Sequence, residues 1–147
     1  MMKIAIAADH GGFALKQKLI EAFTPKGYQF DDLGTYSEES VDYPDYAEKV
    51  CRALLEHKAD LGILVCGSGI GISIAANRHK GIRAALLYSD EVAALARKHN
   101  NANIAVFGGR TMAEDDVLRR MQIFLNTEFE GGRHIRRIEK LDVYGEC

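Results

Sequence analysis

Short apolar runs alternate along the chain with longer stretches in which apolar residues recur every three or four positions. Lys3–Ala8 (KIAIAA) reads as a buried strand that ends in the turn Asp9-His10-Gly11-Gly12. Phe13–Phe23 carries Leu15, Leu19, Ala22 and Phe23 on one helical face, and Thr24-Pro25-Lys26-Gly27 stops it. Tyr28–Leu33 is a weaker strand, followed by a polar loop, Gly34–Pro44. Asp45–Glu56 reads as a helix turned inward by Ala47, Val50, Cys51 and Leu54. Leu61–Cys66 (LGILVC) is the clearest central strand; it enters Gly67-Ser68-Gly69-Ile70-Gly71 and then a short helix, Ile72–Asn77. Strand Ile82–Leu87, helix Glu91–Lys98, strand Ile104–Phe107 and the long helix Ala113–Asn126 follow, the last facing inward through Val117, Leu118, Met121, Phe124 and Leu125. Gly131-Gly132 breaks it before a final helix over His134–Val143.

Strands that are near-continuous apolar runs, separated by helices, are what a parallel sheet covered on both faces requires. The pattern predicts an α/β fold: a three-layer α/β/α, Rossmann-like domain with a five-stranded parallel sheet. It fills residues 1–147 as a single domain, with no fixed-period repeat and no linker to divide it.

Composition narrows the function classes. Hydrophobic residues are 47% and charged residues 27%, the balance of a folded chain. The net charge of −2 lacks the basic footprint of a nucleic-acid binder. No apolar run approaches the ~18 residues of a membrane span, and Ile4–Ala8 is shorter than the ~7–15 residues of a secretory core. Cys51, Cys66 and Cys147 are odd in number with no paired framework, so reduced thiols in a cytoplasm are expected. No C-x-x-C or H-x-x-x-H spacing occurs, so no metal site is expected.

In parallel sheets the strand-to-helix loops gather at the carboxyl edge, where ligands bind. Gly67, Gly69 and Gly71 allow a tight turn whose amides make an anion nest; the alternative is a turn with no ligand. The loop is neither a dinucleotide fingerprint, which would need glycine at Ile72, nor a Walker A loop. Cys66 before it is either a base or nucleophile as thiolate, or a small buried hydrophobe. Asp9 and His10 could bond sugar hydroxyls and shuttle protons, or Asp9 could cap the first helix. His99 continues the spacing of Val92, Leu95 and Ala96, and the better reading from sequence is a helix C-terminal histidine favoured by the dipole. His57 and His79 carry no assigned role. Arg133 and Arg137, four apart, share a helical face with Ile135 and Ile138 turned toward the core. They form a phosphate clamp or a solvated face paired with Glu130 or Glu139. Together these groups fit proton transfer beside a carbonyl in a small phosphorylated substrate.

Ala8-Asp9-His10-Gly11-Gly12-Phe13, Asp42-Tyr43-Pro44, the run from Cys66 to Asn77 (CGSGIGISIAAN), His99-Asn100, Phe107-Gly108-Gly109-Arg110 and Glu130-Gly131-Gly132-Arg133-His134 occur in this order. On these runs the chain resembles the sugar-phosphate isomerase family of type B ribose-5-phosphate isomerases and galactose-6-phosphate isomerase subunits. The resemblance covers nearly the whole chain. It implies interconversion of ribose 5-phosphate and ribulose 5-phosphate, in the pentose phosphate pathway, with no metal and no organic cofactor. It implies Cys66 as the base, Gly67, Ser68, Gly69, Ile70 and Gly71 around the enediolate, and Ser68 moving protons between its oxygens. Asp9, His10 and His99 would serve sugar binding and ring opening, with His99 the proton donor; Asn100 and Arg110 would bind substrate, and Arg133 and Arg137 its phosphate. Ile72 and Ser73 stand where one branch of the family carries a glutamate base, which places this chain in the cysteine branch. An isomerase of allose or galactose 6-phosphate, or one subunit of it, is the same-class alternative; a flavodoxin-like nucleotide-binding module is the alternative from another class. His99-Asn100 falls in a helix-to-strand connection, at the sheet edge opposite Cys66. A homodimer with shared active sites, alone or paired into a dimer of dimers, would bring them together.

Overall fold

The computed structural model describes residues 1–144; Cys147, expected at the surface, lies outside the described residues. Five strands alternate with helices: β1 Lys3–Ala8, α1 Phe13–Phe23, β2 Gln29–Asp32, α2 Tyr43–Leu55, β3 Leu61–Cys66, α3 Ile70–Ala76, β4 Ala84–Leu86, α4 Asp90–Lys98, β5 Ile104–Gly108, α5 Glu114–Asn126 and α6 Arg133–Tyr144. The sheet is parallel throughout, in the order β2-β1-β3-β5-β4. β3 and β5 are wholly buried and β1 nearly so, while the short β2 and β4 form the edges.

Right-handed crossovers fix which helix covers which face. Steps in one direction along the sheet, β1 to β2 and β4 to β5, put α1 and α4 on one face, where α5 joins them around Phe23, Phe107 and Phe124. Steps in the other direction put α2 and α3 on the opposite face around Val50, Cys51, Leu64 and Ile72. The expected three-layer α/β/α architecture is therefore present.

Boundaries differ from the sequence expectation where terminal residues suit a helix end better than the apolar spacing shows. α2 begins at Tyr43 because Pro44 fits a first helical turn, where no backbone N–H is needed. α3 begins at Ile70, directly after Gly69 in the left-handed region. β4 shrinks to three residues because Arg83 donates its amide to the Asn103 side chain rather than to a ladder partner.

The inward face of α6 differs most. Ile135 is 48% exposed, and Leu141, Val143 and Tyr144 are exposed as well; the buried side chain of α6 is His134. Ile138 is half-buried. The helix lies on the surface, its far end held where the Gly81 amide donates to Asp142 Oδ1 (2.9 Å), so its apolar residues do not enter either core cluster. Gly131 and Gly132, both with positive φ (71° and 59°), make the reversal that starts it, a conformation that glycine adopts without steric cost.

One buried charge was not anticipated. Lys16 of α1 is fully buried, and its ammonium bonds both carboxylate oxygens of Asp32 at the end of β2 (2.8 and 2.7 Å). This ties the helix to the edge strand beside the loop that carries Val41.

Candidate active site

At the carboxyl edge three strand-to-helix loops pack backbone against backbone. Gly109 donates to the Cys66 carbonyl (2.8 Å) and Arg110 to the Gly67 carbonyl (2.9 Å). A Cβ on Gly12 would stand 2.5 Å from the Val65 carbonyl oxygen, so only glycine lets the first loop close on β3. Asp9, nearly buried, accepts at Oδ1 from the amides of Gly11 (2.9 Å) and Gly12 (3.2 Å). It thus shapes its own loop; the first helix is capped at Gly12 with no side-chain bond. His10 accepts at Nδ1 from the Val41 amide (3.2 Å), so in the neutral ring the proton sits on Nε2.

Cys66 ends β3 at 5% exposure, and its Sγ accepts from the Gly69 amide (3.2 Å). Ser68 Oγ accepts from the Ile70 amide (3.1 Å). Two of the loop amides are therefore engaged by the loop's own side chains. The Arg110 side chain lies across Gly11 and Gly67. The Tyr43 ring lies over Gly71, close enough that a Cβ there would meet its hydroxyl oxygen at 2.9 Å.

The second group of candidates collects at the opposite edge. His99 caps α4 at its C-terminus, its amide bonded to the Leu95 carbonyl (2.9 Å). Asn100 is exposed beside it, its carbonyl held by Arg83 Nε (3.0 Å). The Glu130 amide bonds the Lys98 carbonyl (3.1 Å), which docks the start of α6 against the end of α4. The His99 and His134 rings then stack, with centroids 4.4 Å apart and planes 18° from parallel. Glu130 Oε1 lies 3.8 Å from His99 Nε2 and 3.7 Å from His134 Nε2. Desolvation, helped by the charges of Arg133, His99 and Arg137 and opposed by Glu130, holds His134 below the usual histidine range. Arg133 and Arg137 are exposed, and among the described residues no ion pair engages either one. A cavity of about 270 Å³ is lined by His99, Asn100, His134, Arg137, Ile138 and Leu141.

The fold keeps these groups apart. β5 alone spans ~13 Å between the two edges, from four steps of ~3.3 Å. A cavity of about 360 Å³ at the carboxyl edge includes Ser68 and Ile70, while one of about 630 Å³ touches Asn100 but none of the Cys66 loop. Tyr43, Glu130 and His134 were not singled out for a role from sequence. All three lie inside motif runs, but only packing shows that they face the candidate residues.

A family model described as Ribose/Galactose Isomerase matches residues 4–141. The chain belongs to this family. It is 41% identical to ribose-5-phosphate isomerase B of Escherichia coli over 96% of this chain and 95% of the relative. The crystal structure of a ribose 5-phosphate isomerase from Thermotoga maritima superposes with a TM-score of 0.95 at 55% identity, covering 97% of this chain and 98% of that one. The structure of ribose-5-phosphate isomerase B from Mycoplasma genitalium, with bound ribulose-5-phosphate, gives a TM-score of 0.91 at 42% identity over 97% and 95% of the two chains. Membership and fold thus agree with the resemblance carried by the cysteine-glycine and E-G-G-R-H runs.

Proposed function

We propose that the protein is an aldose–ketose isomerase that interconverts ribose 5-phosphate and ribulose 5-phosphate, at a site completed by two copies of the chain. The observation that carries this is the division of one chemical set between two edges. Cys66, the glycine loop, Asp9, His10 and Arg110 lie at the carboxyl edge; His99, Asn100, Arg133 and Arg137 lie at the amino edge. A two-fold axis sets one copy's amino edge against its partner's carboxyl edge and makes two such sites. Exposed Ile70 and Ile74 on α3, beside the glycine loop, and the exposed apolar residues of α6 supply surface for that contact.

In this site Asp9, His10 and His99 bind the sugar and open its ring, with His99 as proton donor. Cys66 as thiolate removes the proton from C2, and the electron pair moves onto the C1 carbonyl oxygen to give the enediolate. Backbone amides of residues 67–71 stabilise its charge. Ser68 carries a proton between the two oxygens, and return of the carbon-bound proton to C1 leaves the ketose. Asn100 and Arg110 hold substrate, Tyr43 walls the loop, and Arg133 and Arg137 clamp the phosphate in bidentate fashion. A free thiol suits a reducing cytoplasm. Among the described residues no helix is long and apolar enough to cross a membrane.

Incubating purified protein with ribose 5-phosphate and measuring ketose tests the reaction, with allose 6-phosphate and galactose 6-phosphate in parallel. Turnover fastest on ribose 5-phosphate is expected. Turnover of a hexose phosphate alone would change the substrate, and binding without turnover of any of the three would overturn the enzymatic reading.

A further inference from the structure

The His99–Glu130–His134 cluster contains an unsatisfied group. His134 is 5% exposed, and its Nε2 is buried without a hydrogen-bond partner. An orphaned buried ring nitrogen costs free energy unless something occupies it at least part of the time. Glu130 Oε1 faces both imidazoles from 3.7 and 3.8 Å, too long for hydrogen bonds. One donor atom from each of the three residues lies within 4.8 Å of the others.

We propose that this cluster binds a divalent transition-metal ion, zinc by its donor chemistry, and that the ion competes with the sugar phosphate. Two imidazole nitrogens and one carboxylate oxygen form a familiar zinc donor set, whereas magnesium and calcium prefer oxygen alone. Tetrahedral zinc with bonds of ~2.0–2.1 Å sets its donors ~3.4 Å apart, so the carboxylate needs to close by only a few tenths of an ångström. The rings need more. Stacked as they are, their Nε2 lone pairs run side by side; His134 is fixed by burial, and the His99 side chain, 38% exposed, turns to converge on the ion. Arg133 and Arg137 on the same helix oppose a dication, which makes the site a reversible one and not a structural one. Sequence spacing hid the cluster, because the ligands come from the end of α4, the loop before α6 and the first turn of α6.

The competition, though not the binding, rests on the isomerase reading. An ion on His99 removes the proton donor and stands beside the phosphate clamp. Zinc is therefore expected to inhibit turnover, in a manner relieved by chelator and by high ribose 5-phosphate.

The test titrates metal-free protein with zinc chloride by calorimetry and with cobalt chloride by visible absorption. One ion per chain is expected. Glu130→Gln, at an exposed position, and His134→Ala should each weaken binding at least as much as the ~10–100-fold that loss of an outer-shell partner costs. Cys66→Ala should bind as wild type, and cobalt should show no thiolate charge-transfer band. Absence of saturable binding overturns the proposal, as does binding that survives both cluster variants but disappears in Cys66→Ala. Metal binding by a protein that turns over no sugar phosphate would support the site and refute the isomerase reading; turnover without metal binding would do the reverse.

Discussion

Cys66 and Cys51 are both buried, yet their surroundings suit them to different chemistry. The Cys51 thiol lies on the inner face of α2, 3.7 Å from the Ala76 carbonyl oxygen, and burial, with the nearby Glu48 carboxylate, pushes its pKa up to about 12. Cys66 sits at a loop junction with an amide donated to its sulfur. Iodoacetamide at about pH 8 is expected to alkylate Cys66 and spare Cys51 in the native protein, as read by peptide mass spectrometry, because the thiolate is the nucleophile. Equal labelling of the two would mean that burial does not separate them. A folded Cys66→Ala variant should lose the ~10²–10⁴-fold that a positioned base contributes; near-normal turnover would move the base to Asp9. For the arginines the split between KM and kcat is informative. Arg133→Ala and Arg137→Ala should raise KM for ribose 5-phosphate strongly and leave any activity on unphosphorylated ribose little changed. Equal losses on both sugars would make the pair structural. The chain's pattern revealed that these arginines share a face. That no ion pair engages them among the described residues became visible only from the placement of α6 on the surface.

Among the elements, the loops that carry the chemistry are the most tightly specified. Gly12 meets the Val65 carbonyl so closely that Gly12→Ala forces the first loop off β3. The expected cost is ~1–3 kcal/mol, as for other overpacked sites, together with lost turnover as Asp9 and His10 shift. Thermal unfolding would show it as a midpoint several degrees lower, and an unchanged midpoint would mean that the loops are looser than described. Strand and helix identities followed from periodicity because each element buries one stripe or one run in the same core. Helix ends were less legible. Tyr43 and Ile70 begin their helices ahead of the apolar stripe, where Pro44 and Gly69 set the backbone. α6 has the apolar spacing of a core helix, yet it lies on the surface and Ile135, Leu141 and Val143 stay exposed.

At the scale of the whole molecule, the two sheet edges put Cys66 and His99 out of mutual reach within one chain, and the shared site proposed above makes assembly part of its mechanism. Mixing Cys66→Ala with His99→Ala, after dissociation and reassociation, should restore activity, because each mixed dimer holds one site with both residues intact. Random pairing predicts about a quarter of the wild-type value from the symmetry of a two-site dimer. Mixed dimers that form without regaining activity would place both residues in a site within one chain. The amino-acid sequence by itself determined the α/β/α layers, the loop positions of Asp9, His10 and Cys66 and the opposite-edge position of His99. Apolar periodicity and glycine spacing are local properties, and parallel crossovers leave each loop one edge to occupy. Tertiary structure alone decided that β5 inserts between β3 and β4, that Tyr43 covers the glycine loop, and that Glu130 faces the Nε2 atoms of two stacked histidines. Those contacts join residues far apart in the chain, and the free energy that selects them comes from burying whole faces together, which no local pattern encodes.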